Sequence, residues 1–150
     1  MYERIIRMAN RTAERFGTRD PEEICRRLGI VVVHTDLPKM VSGFYMENGG
    51  RQAVVISDVL EPPYSDVCVA HELGHALLHK GINTVFISEN TNLVVGKYER
   101  EADLFAVSLL MDETDAGLFD KSTEEIASET ALPEYAVEMW WIHKKPHCVR

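Results

Sequence analysis

The chain has 150 residues and a mass of 17.0 kDa; 45% of its residues are apolar and 27% are charged. This composition supports a packed core in a chain of one-domain length and excludes wholesale disorder. Sixteen basic and 24 acidic residues give a formal net charge of −8, which argues against a surface that holds a nucleic-acid backbone.

Three cysteines, Cys25, Cys68 and Cys148, form no C-x-x-C pair, so reduced thiols in a cytosol fit better than a disulfide framework. The start of the chain is charged throughout and lacks the apolar centre of a signal peptide. No run reaches the roughly 18 apolar residues that a spanning helix needs. We therefore expect a cytoplasmic protein with no membrane partner.

The N-terminal residues predict two helices. Apolar side chains at helical spacing indicate a first helix whose buried face is formed by Ile5, Ile6, Ala9, Ala13 and Phe16. Asp20 and Pro21 then have the form of an N-cap and a first-turn proline, with Glu23 as the capping-box glutamate. The short second helix that they open should end at Gly29.

Three β-strands are predicted next. The β-branched run at residues 30–35 is typical of a strand. Residues 42–47 and 51–57 flank an Asn-Gly-Gly sequence at 48–50, and this pattern predicts a β-hairpin with a glycine-rich turn. We expect these strands to form a small antiparallel sheet.

The middle of the chain predicts a long helix followed by an ambiguous segment. A proline pair at 62–63 marks the end of the strands, and residues 64–80 have the pattern of a helix that Gly81 stops. The short apolar runs at residues 84–88 and 92–95 fit short strands, but their periodicity does not decide.

Helical patterns return in the C-terminal part of the chain. Residues 97–111 form one helix, Ser122 and Glu125 form a capping box at the start of another, and Pro133 opens a last helix that ends near His143. Together the elements predict an α+β fold in which a small antiparallel sheet packs on several helices.

The strongest chemical signal is His71-Glu72-Leu73-Gly74-His75, inside the predicted helix of residues 64–80. Residues four apart lie on one face of a helix, so the two imidazoles can share a metal ion. Glu72 lies about 100° further round the helix, where it can act as a general base toward water on an open coordination position.

Chance gives about 0.03 matches to this H-E-x-x-H pattern in a chain of this composition. The alternative is a surface helix that happens to carry two histidines. Gly74 argues against it, because glycine inside a helix costs about 1 kcal/mol relative to alanine. A glycine kept at this position indicates close approach by another element.

A catalytic zinc ion usually needs a third protein ligand, and the next helix offers Glu99, Glu101 and Asp103. The apolar face of that helix is formed by Ala102, Phe105, Ala106, Leu109 and Leu110. Glu99 lies closest to this face and is the expected ligand, whereas Glu101 should lie nearer to solvent. Asp103 is placed to accept the free N–H of a ligand histidine. For each carboxylate taken alone, a solvated helix face remains the alternative.

The sequence HELGHALLH followed by YEREADLFAVSLLM resembles the ImmA/IrrE family of metallo-endopeptidases. These are single zincin-like domains that are often carried by prophages and mobile elements. The resemblance implies one such domain over residues 1–150, with a core at about 20–112 and a C-terminal helical extension at about 122–145.

This resemblance implies that His71, His75 and Glu99 bind one zinc ion and that Glu72 is the catalytic base. The pattern from Glu99 to Asp103 also resembles that of gluzincin peptidases, in which the aspartate backs a ligand histidine. Asp103 stands where members of this family often have asparagine, and this difference changes the charge behind the ligand histidine.

Other residues carry weaker signals. Cys68 could reach a metal held by His71, but such a cysteine is more often a small buried apolar residue. His79 could line the cleft or cap its helix. Three residues are equal candidates for stabilising an oxyanion: His34, Tyr45 and Tyr98.

We therefore expect a zinc-dependent endopeptidase, and the resemblance implies a helix-turn-helix transcriptional repressor as its substrate. An exposed edge of the 42–57 hairpin could hold an extended substrate strand. A zinc-containing module that sequesters the repressor without cutting it is the alternative, and Glu72 argues against it. Direct binding of nucleic acid is disfavoured by the charge. The scissile bond and the oligomeric state stay open.

Overall fold

The computed structural model of the protein describes residues 2–81 and 92–144. Two helices come first, α1 (Tyr2–Phe16) and α2 (Pro21–Arg27). Three strands follow: β1 (Val31–Thr35), β2 (Gly43–Asn48) and β3 (Arg51–Ser57). The remaining helices are α3 (Tyr64–Leu78), α4 (Asn92–Leu110), α5 (Thr123–Thr130) and α6 (Glu134–Lys144), with a 3-10 turn at Leu118–Asp120. This order confirms the α+β class.

The sheet has β3 at its centre, paired with β1 in parallel and with β2 in antiparallel orientation. The hairpin is confirmed. Its turn residues Gly49 and Gly50 have φ angles of 58° and 80°, in the region that favours glycine. The expectation of a wholly antiparallel sheet is wrong, because β2 occupies one side of β3 and β1 reaches the other side in the parallel direction.

Several local predictions are confirmed. The predicted face of α1 is buried at Ile5, Ile6, Ala9 and Ala13. The carboxylate of Asp20 caps α2, and a complete capping box of Ser122 and Glu125 opens α5. Each of these signals is a pattern of residues close in the chain, which is why the sequence shows them.

Short strands were expected at residues 84–88 and 92–95, and the second of these is wrong. Residues 92–95 belong to α4 rather than to a strand, since a short apolar run has the same pattern in both. The run at 84–88 lies outside the described residues. α3 ends at Leu78, two residues earlier than expected. In the part of the chain that is described, no helix is both long and apolar enough to cross a bilayer.

Helix α4 lies at the centre of the fold, in contact with α1, α3 and α6. A Cβ atom added to Gly74 of α3 would lie 3.2 Å from Ala102 Cα and 3.2 Å from Phe105 Cβ in α4. This confirms the close approach that the glycine indicated. The tight packing at Gly74 holds the histidines of α3 against the carboxylates of α4.

Candidate metal centre

Helices α3 and α4 bring together His71, His75 and Glu99, the three residues expected to bind metal. The Nε2 atoms of the two histidines lie 3.2 Å apart. One carboxylate oxygen of Glu99 is 2.8 Å from His71 Nε2, and the other is 2.9 Å from His75 Nε2. The i, i+4 spacing on α3 supplies the two imidazoles, and the tight packing at Gly74 brings in the carboxylate from α4.

The spacing of these atoms fits a tetrahedral metal ion. Bonds of 2.0–2.1 Å from zinc to nitrogen or oxygen place neighbouring ligand atoms about 3.3 Å apart. The two Nε2 atoms, 3.2 Å apart, match this value, and the two oxygens of Glu99 lie 2.8 and 2.9 Å from them, one oxygen beside each nitrogen. Two imidazoles and one carboxylate also form a donor set that suits zinc and leaves a fourth position open.

His71 and Glu99 carry opposite charges in the metal-free protein. Burial by itself lowers the pKa of His71, but the hydrogen-bonded carboxylates of Asp103 and Glu99 outweigh it and raise this pKa to about 10. Burial by itself raises the pKa of Glu99, but hydrogen bonds from His71 and His75 hold it well below its usual range. A metal ion entering this site therefore displaces a proton.

Asp103 lies behind His71, where the sequence placed it. Its Oδ1 atom accepts a hydrogen bond from Nδ1 of His71 at 2.7 Å, so Nε2 is the nitrogen that can bind a metal once its proton is displaced. The hydroxyl of Tyr135, in α6, donates to the other oxygen of the same carboxylate. Sequence reasoning missed Tyr135, because its contact with α4 depends on how α6 packs.

A second carboxylate lies behind His75, and here the sequence-based expectation is wrong. Glu101 does not face solvent. Its side chain is 14% exposed, and its Oε1 atom accepts a hydrogen bond from Nε2 of His79 at 3.1 Å. Nδ1 of His79 lies 2.9 Å from Nδ1 of His75. The error has a physical cause: α4 is buried on several sides, so its apolar residues do not define one inward direction.

The direction of these hydrogen bonds follows from the carboxylate, which can only accept. His79 therefore carries its proton on Nε2, and its Nδ1 accepts the proton that His75 carries on Nδ1. Burial lowers the pKa of His79, which favours this neutral form. Once a metal ion displaces the proton that Nε2 of His75 shares with Glu99, the Glu101–His79 pair would hold that nitrogen toward the metal position.

Glu72 is buried beside these groups, with 5% of its surface exposed. Its Oε2 atom has no hydrogen-bond partner among the described residues, although buried carboxylate oxygens are nearly always paired. Burial raises the pKa of Glu72, an effect that the neighbouring imidazoles of His71 and His75 offset in part. Such an oxygen can accept a proton from a water molecule placed next to it.

A cavity of about 310 Å³ opens next to His71 and Glu72. Its other walls come from β2, α3 and the loops around them: Ser42, Gly43, Leu60, Tyr64, Val67, Cys68 and Ala131. Burial raises the pKa of the Cys68 thiol to about 12, so this side chain is a small neutral group in the wall. The cavity is large enough for a substrate side chain beside the candidate base.

None of the three oxyanion candidates lines this cavity in the described structure. His34 pairs with Glu22 on the surface at 3.0 Å. The hydroxyl of Tyr45 is part of a buried group in which it accepts a hydrogen bond from Gln52 at 2.8 Å. Tyr98 packs on the ring of His79, with 4.4 Å between ring centroids. The side chains of all three therefore contact other residues of the protein rather than the cavity.

Comparison with known proteins shows one peptidase family. Residues 25–138 match the family model described as the IrrE N-terminal-like domain. The chain is 33% identical over 131 residues to the "Uncharacterized immunity region protein 2" of Bacillus phage phi105, an alignment that covers 87% of this chain and 82% of that protein. It is 28% identical over 129 residues to "Metallopeptidase ImmA" of Bacillus subtilis (strain 168), covering 81% and 75%. No solved structure gives a significant match.

Proposed function

The chain belongs to the IrrE N-terminal-like family of metallopeptidases, and from that premise we propose a zinc-dependent endopeptidase with His71, His75 and Glu99 as its metal ligands. One observation carries the proposal. The unpaired, buried oxygen of Glu72 lies beside both the convergent ligand atoms and an open cavity. A helix that merely carried histidines would not need this carboxylate, because its burial costs free energy.

In the proposed reaction the chain's own groups act as follows. A bound zinc ion would supply Lewis acidity, lowering the pKa of a water molecule to about 7 and polarising the substrate carbonyl. Glu72 accepts the proton of the attacking water and passes it to the leaving amine. Its raised pKa suits it to both steps. Asp103 and the Glu101–His79 pair keep the two imidazoles oriented.

Strand β2 is the proposed binding edge for an extended substrate. Within the described sheet β2 pairs only with β3, and its first residue, Gly43, lines the cavity. A substrate strand added along β2 would make main-chain hydrogen bonds there and place one side chain in the cavity. Pairing of this kind needs only a short extended segment, which an exposed part of a folded protein can supply.

A basic DNA-binding protein, a helix-turn-helix repressor, is the proposed substrate. The relative from phage phi105 is named as an immunity region protein. The charge distribution adds support, because residues 112–138 contain nine acidic residues and one lysine, a net charge of −8, and the rest of the chain is balanced. This acidic segment includes Ala131, which lines the cavity. A basic partner would therefore be attracted toward the cleft.

Co-expression with a repressor encoded beside this protein tests the substrate. We expect shortened repressor and relief of a reporter gene, because cutting between DNA-binding and oligomerisation parts removes paired half-site contacts. Western blots and reporter activity measure both effects. The Glu72→Gln variant should show neither. If the reporter gene is relieved while the repressor keeps its full length, and Glu72→Gln gives the same result, the outcome would instead support sequestration without cleavage.

The role of Glu101 can be tested without measuring activity. Glu101→Ala should weaken zinc binding by about 10- to 100-fold, since His79 then no longer fixes the proton on His75. Competition with a chromophoric chelator measures the affinity. Glu138→Ala, a change at an exposed glutamate of α6, is the control. Equal zinc affinity in both variants would show that the Glu101–His79 pair does not orient the ligand.

A further inference from the structure

Helix α1 carries a row of arginines that the metallopeptidase chemistry does not use. Arg4, Arg7, Arg11 and Arg15 are all exposed. At about 100° per residue they fall within about 80° of arc, on one face of the helix, and they extend over about 16 Å of its length. The sequence does not show this face as a basic run, because other residues separate the four arginines. The net charge of the whole chain does not show it either, because that charge is negative.

The four arginines border a cavity of about 520 Å³. We call this surface the arginine groove; besides the arginines it is lined by Met8, Thr12, Phe16, Leu28 and Leu77. Its floor is therefore mostly apolar. It shares no residue with the cavity beside Glu72, so it is a separate surface from the candidate cleft.

The charges in the groove are not neutralised within the described residues. None of the four arginines forms an ion pair there, although Lys121 pairs with Glu129 at 2.7 Å and Lys144 with Glu113 at 3.1 Å. Arg15 instead lies over the ring of Phe16, 4.8 Å from its centroid. Arginines four residues apart on a helix repel each other, so this row by itself destabilises α1. A negatively charged partner would remove that cost.

We propose that the arginine groove docks an acidic, amphipathic helical segment of a partner protein, independently of the peptidase site. Arginine binds carboxylates with two parallel hydrogen bonds, and glutamates at i, i+4 and i+7 on a helix would match the arginine spacing. Leucine-like side chains on the same segment would fill the apolar floor between Met8, Phe16 and Leu77.

Duplex DNA fits this groove less well. Phosphates would satisfy the arginines but would leave the apolar floor of Phe16 and Leu77 uncovered. A duplex would also extend well beyond the roughly 16 Å row, toward a chain whose net charge is −8. An acidic, amphipathic helix about three turns long would pair with the arginines and cover the apolar floor, and it is too short to be repelled by the rest of the chain.

The test uses the full-length protein and a fluorescein-labelled 18-residue helical peptide with leucine on one face and glutamate on both flanks. Anisotropy at physiological salt should show saturable binding. The double variant Arg7→Glu/Arg11→Glu should bind at least about tenfold more weakly, because attraction becomes repulsion. A control with the same charge change, Lys39→Glu/Arg51→Glu, alters exposed residues outside the groove and should bind within about twofold of wild type.

A second variant, Arg7→Gln/Arg11→Gln, keeps the test valid if charge reversal unfolds α1; circular dichroism shows which variants are folded. Absence of peptide binding, or equal binding by folded groove variants, would refute the proposal. Tighter binding of a 20-base-pair duplex, lost in the groove variants, would assign the groove to nucleic acid. If the protein instead associates with itself in a salt-sensitive way, and the groove variants do not, the groove binds the acidic 112–138 segment of a second copy.

Discussion

Replacing Glu72 with glutamine is expected to lower the rate of peptide cleavage by at least about 10²- to 10⁴-fold, the usual contribution of a general base. Glutamine has the same shape but cannot accept the proton of the attacking water. Because Glu72 is not among the proposed metal ligands, the variant should keep its zinc. Repressor cleavage assays and elemental analysis, run side by side, measure the two properties.

The matched control is Glu61→Gln, the same substitution at an exposed position one residue beyond Leu60 of the cavity wall. We expect it to cleave at the wild-type rate. Cleavage at that rate by Glu72→Gln would rule out Glu72 as the base. Loss of zinc together with activity would show instead that the substitution disturbs the metal centre.

The same substitution also affects stability. In the metal-free protein burial raises the pKa of Glu72, so its ionised form destabilises the folded state at pH values above the ordinary glutamate pKa of 4.5. Glutamine has no charge to bury. The metal-free variant should therefore melt at or above the wild-type temperature near pH 7, and the difference should disappear below pH 4.5, where both side chains are neutral.

Alanine in place of His71, His75 or Glu99 is expected to reduce bound zinc from about one ion per chain to nearly none, since a site with two protein ligands holds the ion weakly. Elemental analysis after dialysis measures the content. Thermal melting gives a second measure: zinc at about 100 times its Kd should stabilise the wild type by about 2.7 kcal/mol but none of these variants.

Arg100→Ala is the control for the ligand on α4, because Arg100 follows Glu99 directly and is exposed. It should retain zinc. Full zinc content in Glu99→Ala, combined with loss in Glu101→Ala, would mean that the two glutamates have exchanged roles. Zinc retained by all three alanine variants would place the metal elsewhere in the chain.

The position of the third proposed ligand shows how far helical periodicity could go. Counting from the apolar residues of α4 selected Glu99, which the structure places against both histidines. The same count put Glu101 toward solvent, and this was wrong. Leu104, Val107 and Ser108 are also buried, because α1, α3 and α6 surround α4. Periodicity identifies an inward direction only for a helix that is packed on one side.

The arginine groove shows the same limit on the surface. The net charge of −8 describes the whole chain, and it argued only against a surface that holds a nucleic-acid backbone. Helical winding gathers Arg4, Arg7, Arg11 and Arg15 on one side of α1, and the packing of α2 and α3 supplies Leu28 and Leu77 as the apolar floor. Composition cannot detect such a surface, because it depends on where each charge points.

The sequence by itself determined the features that depend on neighbours along the chain: the helix caps, the hairpin turn, and the pairing of His71 with His75 one helical turn apart. Only the tertiary structure decided the features that join distant segments. These are the parallel pairing of β1, the contact of Tyr135 with Asp103, and the Glu101–His79 pair behind His75. Local contacts follow from backbone geometry that every chain shares, whereas distant contacts follow from how the complete core packs.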